Sequence, residues 1–390
     1  MVQLTRFLVN HTRTGAGWSA ASRSIASRPI DLHRRLPGYA PTPLHRLDEL
    51  AAELHLDAVW VKDESTRLGL PAFKMLGASW AAYRSLVDLL GHEPTWETVD
   101  ELAASLDPVR PVRLCTATDG NHGRALARTA RLLRLEARVF VPAGTAAARV
   151  EAIAGEGAAV ELVDGTYDDA VARAAREAGT EADGRTLLVS DTSWEGYERV
   201  PAWVVEGYTT IFDEIDAALA TAGEQGPDVV VVQIGVGALA AASVARYGAD
   251  VSGGRVRLLG VEPASADCML ASAAAGHPVE VPGPHPSIMA GLNCGIPSLL
   301  ALPAVAGTYT AFVGIDDSRA CDAVRELDRY GIEAGETGAA GLAGLRAVLG
   351  GPTAVRDALG LGPASRVLLL DTEGATDPEV HARILGHRSV

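Results

Sequence analysis

The stretch VVVVQIGVGALAAASVAR, Val229 to Arg246, decides the fold. Four consecutive valines are β-branched and apolar, which suits a strand buried on both faces. The run breaks at Gly235-Val-Gly237 and continues as small, helix-favouring residues to Tyr247. A buried strand, a glycine turn and a helix start form a unit whose turn can take a phosphate. The first N–H groups of the helix point outward there and its dipole favours an anion. A tight turn that uses glycine for packing alone is the alternative at this point. Gly235-x-Gly237-x-x-Ala240 also fits a dinucleotide fingerprint, with Glu262 ending the next strand where a ribose-binding acid belongs. An NAD-dependent oxidoreductase using Gly235 to Glu262 is therefore a competing reading.

Outward from this unit the same alternation recurs. Strands are expected over 58–62, 112–116, 137–141, 159–163, 186–190, 229–234, 257–261 and 366–370. Helices are expected over 48–54, 73–90, 96–106, 146–156, 167–178, 211–220, 266–274, 318–330 and 338–349. Strand and helix in turn predict an α/β protein with parallel sheets. A compact βαβα block near the middle reads as a small domain, 99–201, inserted into a larger one made of 1–98 and 202–390. No internal repeat and no low-complexity linker is visible.

The 390 residues suffice for two domains and a large core. A formal net charge of -15 disfavours nucleic acid as a partner, because a phosphate backbone needs a basic footprint. The four cysteines, Cys115, Cys268, Cys294 and Cys321, form no CxxC and offer no zinc site, so no metal is expected. So few cysteines read as reduced thiols of a cytoplasmic protein. The longest apolar run, Val229 to Ala245, is short and interrupted by Gln233 and two glycines, which argues against a membrane span. The first thirty residues carry arginine and serine but no acid before Asp31. That composition fits a transit peptide or an ordinary N-terminal arm, and the arginine-rich style of the whole chain favours the arm.

Two further stretches carry candidate chemistry. In KDESTRLGLPAFKMLGASW, Lys62 to Trp80, Lys74 follows Pro71-Ala72-Phe73 and precedes small and apolar residues. Held by its stem with its amine in a cavity, such a lysine is desolvated and nucleophilic, as an amine that condenses with a carbonyl requires. A surface lysine at a helix start is the plain alternative. Thr118-Asp119-Gly120-Asn121-His122-Gly123 joins a strand to a helix and can offer N–H groups and an amide to a carboxylate. Asp119 beside such a site reads either as a base or as a helix-capping residue. His122 reads as a structural loop histidine rather than a ligand or base.

Together, Ala72-Phe-Lys74-Met-Leu-Gly77-Ala-Ser, Thr118 to Gly123, Gly235-Val-Gly237-Ala and Gly260-Val-Glu262-Pro-x-x-Ala-Asp-Cys268 resemble the fold-type II pyridoxal-phosphate enzymes. Asp191-Thr-Ser-Trp-Glu-Gly-Tyr197, Ser287 to Gly295 and Asp371-Thr-Glu-Gly374 resemble the diaminopropionate ammonia-lyase branch of that family. The resemblance spans about Pro41 to Pro378, leaving the N-terminal arm outside. It implies two domains, each with a largely parallel sheet flanked by helices. It implies pyridoxal 5'-phosphate as cofactor, an amino acid as substrate and a homodimer. Lys74 matches the lysine that carries the cofactor, with Phe73 near the ring. Gly235, Val236, Gly237, Ala238 and Leu239 match the phosphate loop. Asn121 matches the residue contacting the ring's 3-hydroxyl, and Thr372 the hydroxyl facing the ring nitrogen. Thr118, Asp119 and Gly120 match the substrate loop. Asp119 takes on the meaning of a second base, opposite Lys74, for the D isomer of a substrate whose L isomer Lys74 serves. Asp191 matches a carboxylate that holds a β-ammonium. The implied reaction is α,β-elimination from 2,3-diaminopropionate to aminoacrylate, which hydrolyses to pyruvate and ammonia. A serine/threonine dehydratase or a β-replacement enzyme is the runner-up, against which Asp119 and Asp191 argue. Cys268 and Cys294 lie in motif stretches, as thiols or as a disulfide.

Overall fold

The computed structural model describes residues 5–15, 17–18, 28–118, 120–180 and 185–386. In chain order its strands are β1 (Arg6–Val9), β2 (Leu44–Arg46), β3 (Ala58–Asp63), β4 (Arg113–Ala117), β5 (Glu136–Pro142), β6 (Ala159–Val163), β7 (Thr186–Leu188), β8 (Val229–Gln233), β9 (Arg257–Pro263), β10 (Ala311–Ile315) and β11 (Arg366–Asp371). The chain divides into two compact units. One comprises Met1–Ser19, Pro41–Thr66 and Ile211–Val390, and the other Ala20–Ala40 and Arg67–Thr210.

The first unit holds a seven-stranded sheet in the order β1-β10-β9-β8-β11-β3-β2. Its inner pairings are parallel, and only the edge strands β1 and β2 run antiparallel. Alternate residues point to opposite faces of a strand. Val59, Val61, Val229, Val231, Leu259, Val261, Val313, Val367 and Leu369 share one face, packed with Leu327, Leu342, Leu345 and Val348 of the covering helices. Their alternates Trp60, Val230, Val232, Leu258, Phe312 and Leu368 are also buried. A sheet covered on both faces is what an unbroken valine run needs.

The second unit holds a four-stranded sheet, β6-β5-β4-β7, parallel throughout. Cys115, Ala117 and Phe140 pack there against Ala170 and Ala174 of the Tyr167–Thr180 helix. The expected α/β architecture with two largely parallel sheets is therefore present. Strands β1, β2 and β10 lie where none was expected. A five-residue apolar run such as Ala311–Ile315 cannot be told from a buried helix segment by periodicity. β1 falls in the N-terminal arm, where composition was the only signal.

The units part after Thr66 and Thr210, not at the 98/99 and 201/202 boundaries expected. Two glycines account for the company that Lys74 keeps. A Cβ on Gly77, in the Lys74–Leu90 helix, would lie 2.5 Å from the Tyr208 ring. One on Gly207 would lie 2.5 Å from the Leu76 carbonyl oxygen. The Lys74–Leu90 and Arg199–Ala222 helices thus approach to backbone contact. Buried His33 ties the same place, with one ring nitrogen 2.9 Å from Leu76 O and the other 2.8 Å from Thr210 Oγ1. The Lys74–Leu90 helix also packs on the Asn121–Leu132 helix.

Every sequence motif singled out after a strand follows the C-terminal end of a parallel strand, which is where open α/β sheets bind ligands. Gly207→Ala tests the close approach. It is expected to lower the unfolding free energy by about 1–3 kcal/mol, because the obstructing atom is backbone and cannot turn aside. Urea denaturation measures this, and an unchanged midpoint would show that the contact is not required.

Candidate active site

In the second unit, Lys74 opens its helix and donates from Nζ to Asp191 Oδ2 at 2.8 Å. The amine, expected to be desolvated, meets a carboxylate. Phe73 lies beside it, its ring 5.2 Å from Nζ and 4.6 Å from the Tyr208 ring. Asp191 is buried, and its other oxygen accepts from the Tyr167 hydroxyl at 3.2 Å. Burial raises the Asp191 carboxyl, but the charge of Lys74 and the bonds from Lys74 and Tyr167 win, holding it well below the usual carboxylate range.

The Asp191–Tyr197 motif explains its own position. Trp194 and Tyr197 stack with centroids 4.4 Å apart. The Tyr197 hydroxyl donates to Leu188 O at 2.7 Å and accepts from Ser190 N at 3.1 Å. These bonds tie Leu188, the end of β7, to Ser190, one residue before Asp191.

The 118–123 loop is in the same unit, and Asp119 lies outside the described residues. Thr118 Oγ1 accepts from Gly120 N at 2.9 Å and from Gly123 N at 3.1 Å. Thr118 thus supplies an acceptor to the start of the helix, and its hydroxyl oxygen is occupied by backbone N–H groups. Gly123 is obligatory, since a Cβ there would lie 2.3 Å from Thr118 Cγ2. Asn121 is the first residue of the Asn121–Leu132 helix. His122 is structural as expected: Nε2 donates to Val189 O at 2.8 Å, and burial lowers its pKa, favouring the neutral ring.

In the first unit, β8 leads into the glycine turn. A Cβ on Gly235 would lie 2.9 Å from Gly291 O and 3.3 Å from Cys294 Sγ. Gly237 has φ +105°, a left-handed conformation that favours glycine, and a Cβ there would lie 2.7 Å from Met269 Cε. Val236 O accepts from Ser298 N at 2.9 Å. Ala238 and Leu239 begin the Ala238–Ser252 helix, whose N-cap residue, Gly237, has no side chain to cap it. Its first N–H groups have no acceptor within the helix, so the turn is suited to an anion. At the end of β11, Thr372 Oγ1 accepts from Gln233 Nε2 at 2.9 Å. Cys268 and Cys294 are both buried thiols.

The dinucleotide reading does not hold. Glu262 is buried and accepts from Met269 N and Leu270 N, each at 2.8 Å, at the start of the Cys268–Ala275 helix. Burial pushes its carboxyl well above the usual range. An acid spent on a helix terminus cannot also receive ribose hydroxyls.

Three features escaped the sequence reading. Tyr167 reaches Asp191 from a helix start with no motif around it. Arg149 passes the 118–123 loop, its Cδ 3.3 Å from where a Cβ on Gly120 would be, and brings positive charge there. The third was open to view: the chain has only two lysines. Lys62 is 1% exposed, with Nζ 2.7 Å from both Glu214 Oε2 and Thr42 O. Lys74, 19% exposed, is the lysine a ligand can reach. Among the described residues no cluster of side chains suits a metal ion, and no helix is long and apolar enough to cross a membrane.

Comparison with known proteins gives concordant results. The family described as pyridoxal-phosphate dependent enzymes matches residues 35–372. The chain is 34% identical to the diaminopropionate ammonia-lyase of Salmonella typhimurium, over 99% of this chain and 98% of the relative. It is 36% identical to that of Escherichia coli K12, over 93% and 92%. The crystal structure of the Escherichia coli enzyme in complex with D-serine superposes with a TM-score of 0.88, covering 98% of this chain and 97% of that one at 34% identity.

The Lys74–Asp191 pair also predicts a pH effect. The Asp191 carboxyl is depressed in the folded chain relative to its usual value of 3.8. Its pairing therefore stabilises the fold above that range, and the contribution fades as pH falls through it. Asp191→Asn is expected to flatten the acid side of the stability–pH curve relative to the parent. Thermal melts across acid pH measure this, and parallel curves would contradict it.

Proposed function

The chain belongs to the pyridoxal-phosphate dependent enzymes and, within them, to the diaminopropionate ammonia-lyases, and from that membership we propose that it converts 2,3-diaminopropionate to pyruvate and ammonia. The observation that carries this reading is the Lys74–Asp191 pair at 2.8 Å, in a chain whose other lysine is locked away. A carbonyl cofactor needs an accessible amine, and a β-ammonium needs a carboxylate.

The residues fit pyridoxal phosphate. The Gly235–Leu239 turn admits no Cβ at its glycines and presents uncapped helix N–H groups to a phosphate. Lys74 supplies the amine, and Thr372 supplies a buried hydroxyl that suits a ring nitrogen. When bound, the cofactor supplies an electron-withdrawing ring that stabilises negative charge at the substrate's Cα.

The chain's own side chains do the rest. Lys74 carries the cofactor until the substrate amine takes its place, and then removes the Cα proton of the L isomer. Asp119 removes it from the D isomer, a role supported by the D-serine bound in the Escherichia coli enzyme. Once Lys74 is joined to the cofactor it no longer offers Asp191 an ammonium, and the buried carboxylate is left for the substrate's β-ammonium. While a cation faces it, the Asp191 carboxyl lies well below the usual range, so it is ionised and accepts charge-assisted bonds from that cation. Thr118 and Gly120 shape the loop that receives the substrate carboxylate, with Asn121 on the 3-hydroxyl and Phe73 against the ring. The released aminoacrylate hydrolyses to pyruvate and a second ammonia. The same membership is our ground for proposing a homodimer and a cytoplasmic location.

A serine/threonine dehydratase starts in the same way, but a neutral hydroxy amino acid gives the buried Asp191 no cation to hold. The substrate panel is therefore decisive: pyruvate should form fastest from diaminopropionate, with serine and threonine far behind. Lys74→Ala should abolish both the absorbance band of the lysine-linked cofactor and pyruvate release. Asp119→Asn should lower turnover of the D isomer about a hundredfold, with little loss on the L isomer. Equal losses on both isomers would mean that Asp119 is not the second base.

A further inference from the structure

Gln233 ends β8 with a buried side chain. Its Nε2 has four oxygens around it: Thr337 O at 3.1 Å, Gly338 O at 3.0 Å, Leu370 O at 2.9 Å and Thr372 Oγ1 at 2.9 Å. A primary amide nitrogen has two hydrogens and no lone pair to offer. Three of these neighbours are carbonyls, which only accept. Turning the amide over would set Oε1 against them, so the surroundings fix its orientation. The orientation holds although Oε1 has no hydrogen-bond partner, an uncommon state for a buried carbonyl.

The fourth neighbour is different in kind. A hydroxyl can donate or accept, but against an amide nitrogen it can only accept. Thr372 Oγ1, with Leu370 O the nearest of the four at 2.9 Å, faces Gln233 as an acceptor, and its hydrogen cannot return to that partner. Among the described residues the hydroxyl donates to no protein acceptor. Its hydrogen is left for a ligand.

We propose that Gln233 is a positioning residue that holds the Thr372 hydroxyl as a donor, so that the group facing it must be an acceptor. This rests on the cofactor site proposed above, where that group is the ring nitrogen. Gln233 then selects the unprotonated ring. An unprotonated ring withdraws electrons less strongly, which suits elimination, where the leaving group takes the electrons away, better than reactions that must store them.

The experiment uses holoenzyme reconstituted with pyridoxal phosphate bearing nitrogen-15 in its ring. In the wild-type chain the ring-nitrogen resonance is expected in the unprotonated range and stationary across neutral pH. A protonated ring nitrogen overturns the proposal without need of a variant. Gln233→Met should move the resonance toward that of a pyridine with no hydrogen bond and raise the cofactor dissociation constant up to about tenfold. In a Thr372→Val background Gln233→Met should add no further shift of the resonance. An equal shift with and without the hydroxyl would show that Gln233 acts through packing, and would overturn the assignment. Cofactor binding with no change in Gln233→Met sinks this inference alone. Absence of cofactor binding by the wild-type chain sinks the functional reading and this inference together.

Discussion

A buried carboxylate against the accessible lysine is the constraint on which the site depends. Asp191 and Lys74 are 117 residues apart in sequence and 2.8 Å apart in space. Holding that distance asks for rigidity on both sides. On the lysine side, Gly77 and Gly207 let two helices meet at backbone distance. On the aspartate side, the Tyr197 hydroxyl ties the end of β7 to the loop that carries Asp191. The pair contributes to stability, but its greater consequence is chemical. Asp191 is kept ionised beside the one lysine that a ligand can reach.

The first unit solves a different problem by different means. Its ligand-facing parts are made largely of backbone. The turn at Gly235 and Gly237 leaves no room for a Cβ, and the Ala238–Ser252 helix begins without a side-chain cap. A fixed set of N–H groups costs no reorganisation when a phosphate arrives. Gln233 extends the same logic to a side chain. Surrounded by carbonyls, it has one orientation, and it passes that orientation on to Thr372.

Much of this was legible in the sequence, for physical reasons. Runs such as Val229–Gln233 and Arg366–Asp371 are apolar throughout because both sheet faces are covered, and they stood out. β1 and β2 did not, since an edge strand of three or four residues carries too little pattern. Lys74, Asn121, Thr372 and the glycine turn were given their roles because ordered motifs resemble a family, not because spacing required them. Tyr167 and Arg149 were missed because a side chain that reaches a site from a helix start leaves no periodic trace. Glu262 shows the opposite failure: its position after a strand fitted a ribose-binding acid, while its carboxylate had gone to a helix terminus. That Lys62 and Lys74 are the chain's two lysines is legible in the sequence alone.

The most direct test of the account is the nitrogen balance of the reaction. With diaminopropionate as sole substrate, the purified enzyme should release two ammonia for each pyruvate, one from the β-carbon and one from hydrolysis of aminoacrylate. A single ammonia per pyruvate, or ammonia without pyruvate, would contradict the assignment of Lys74 and Asp191 to this elimination.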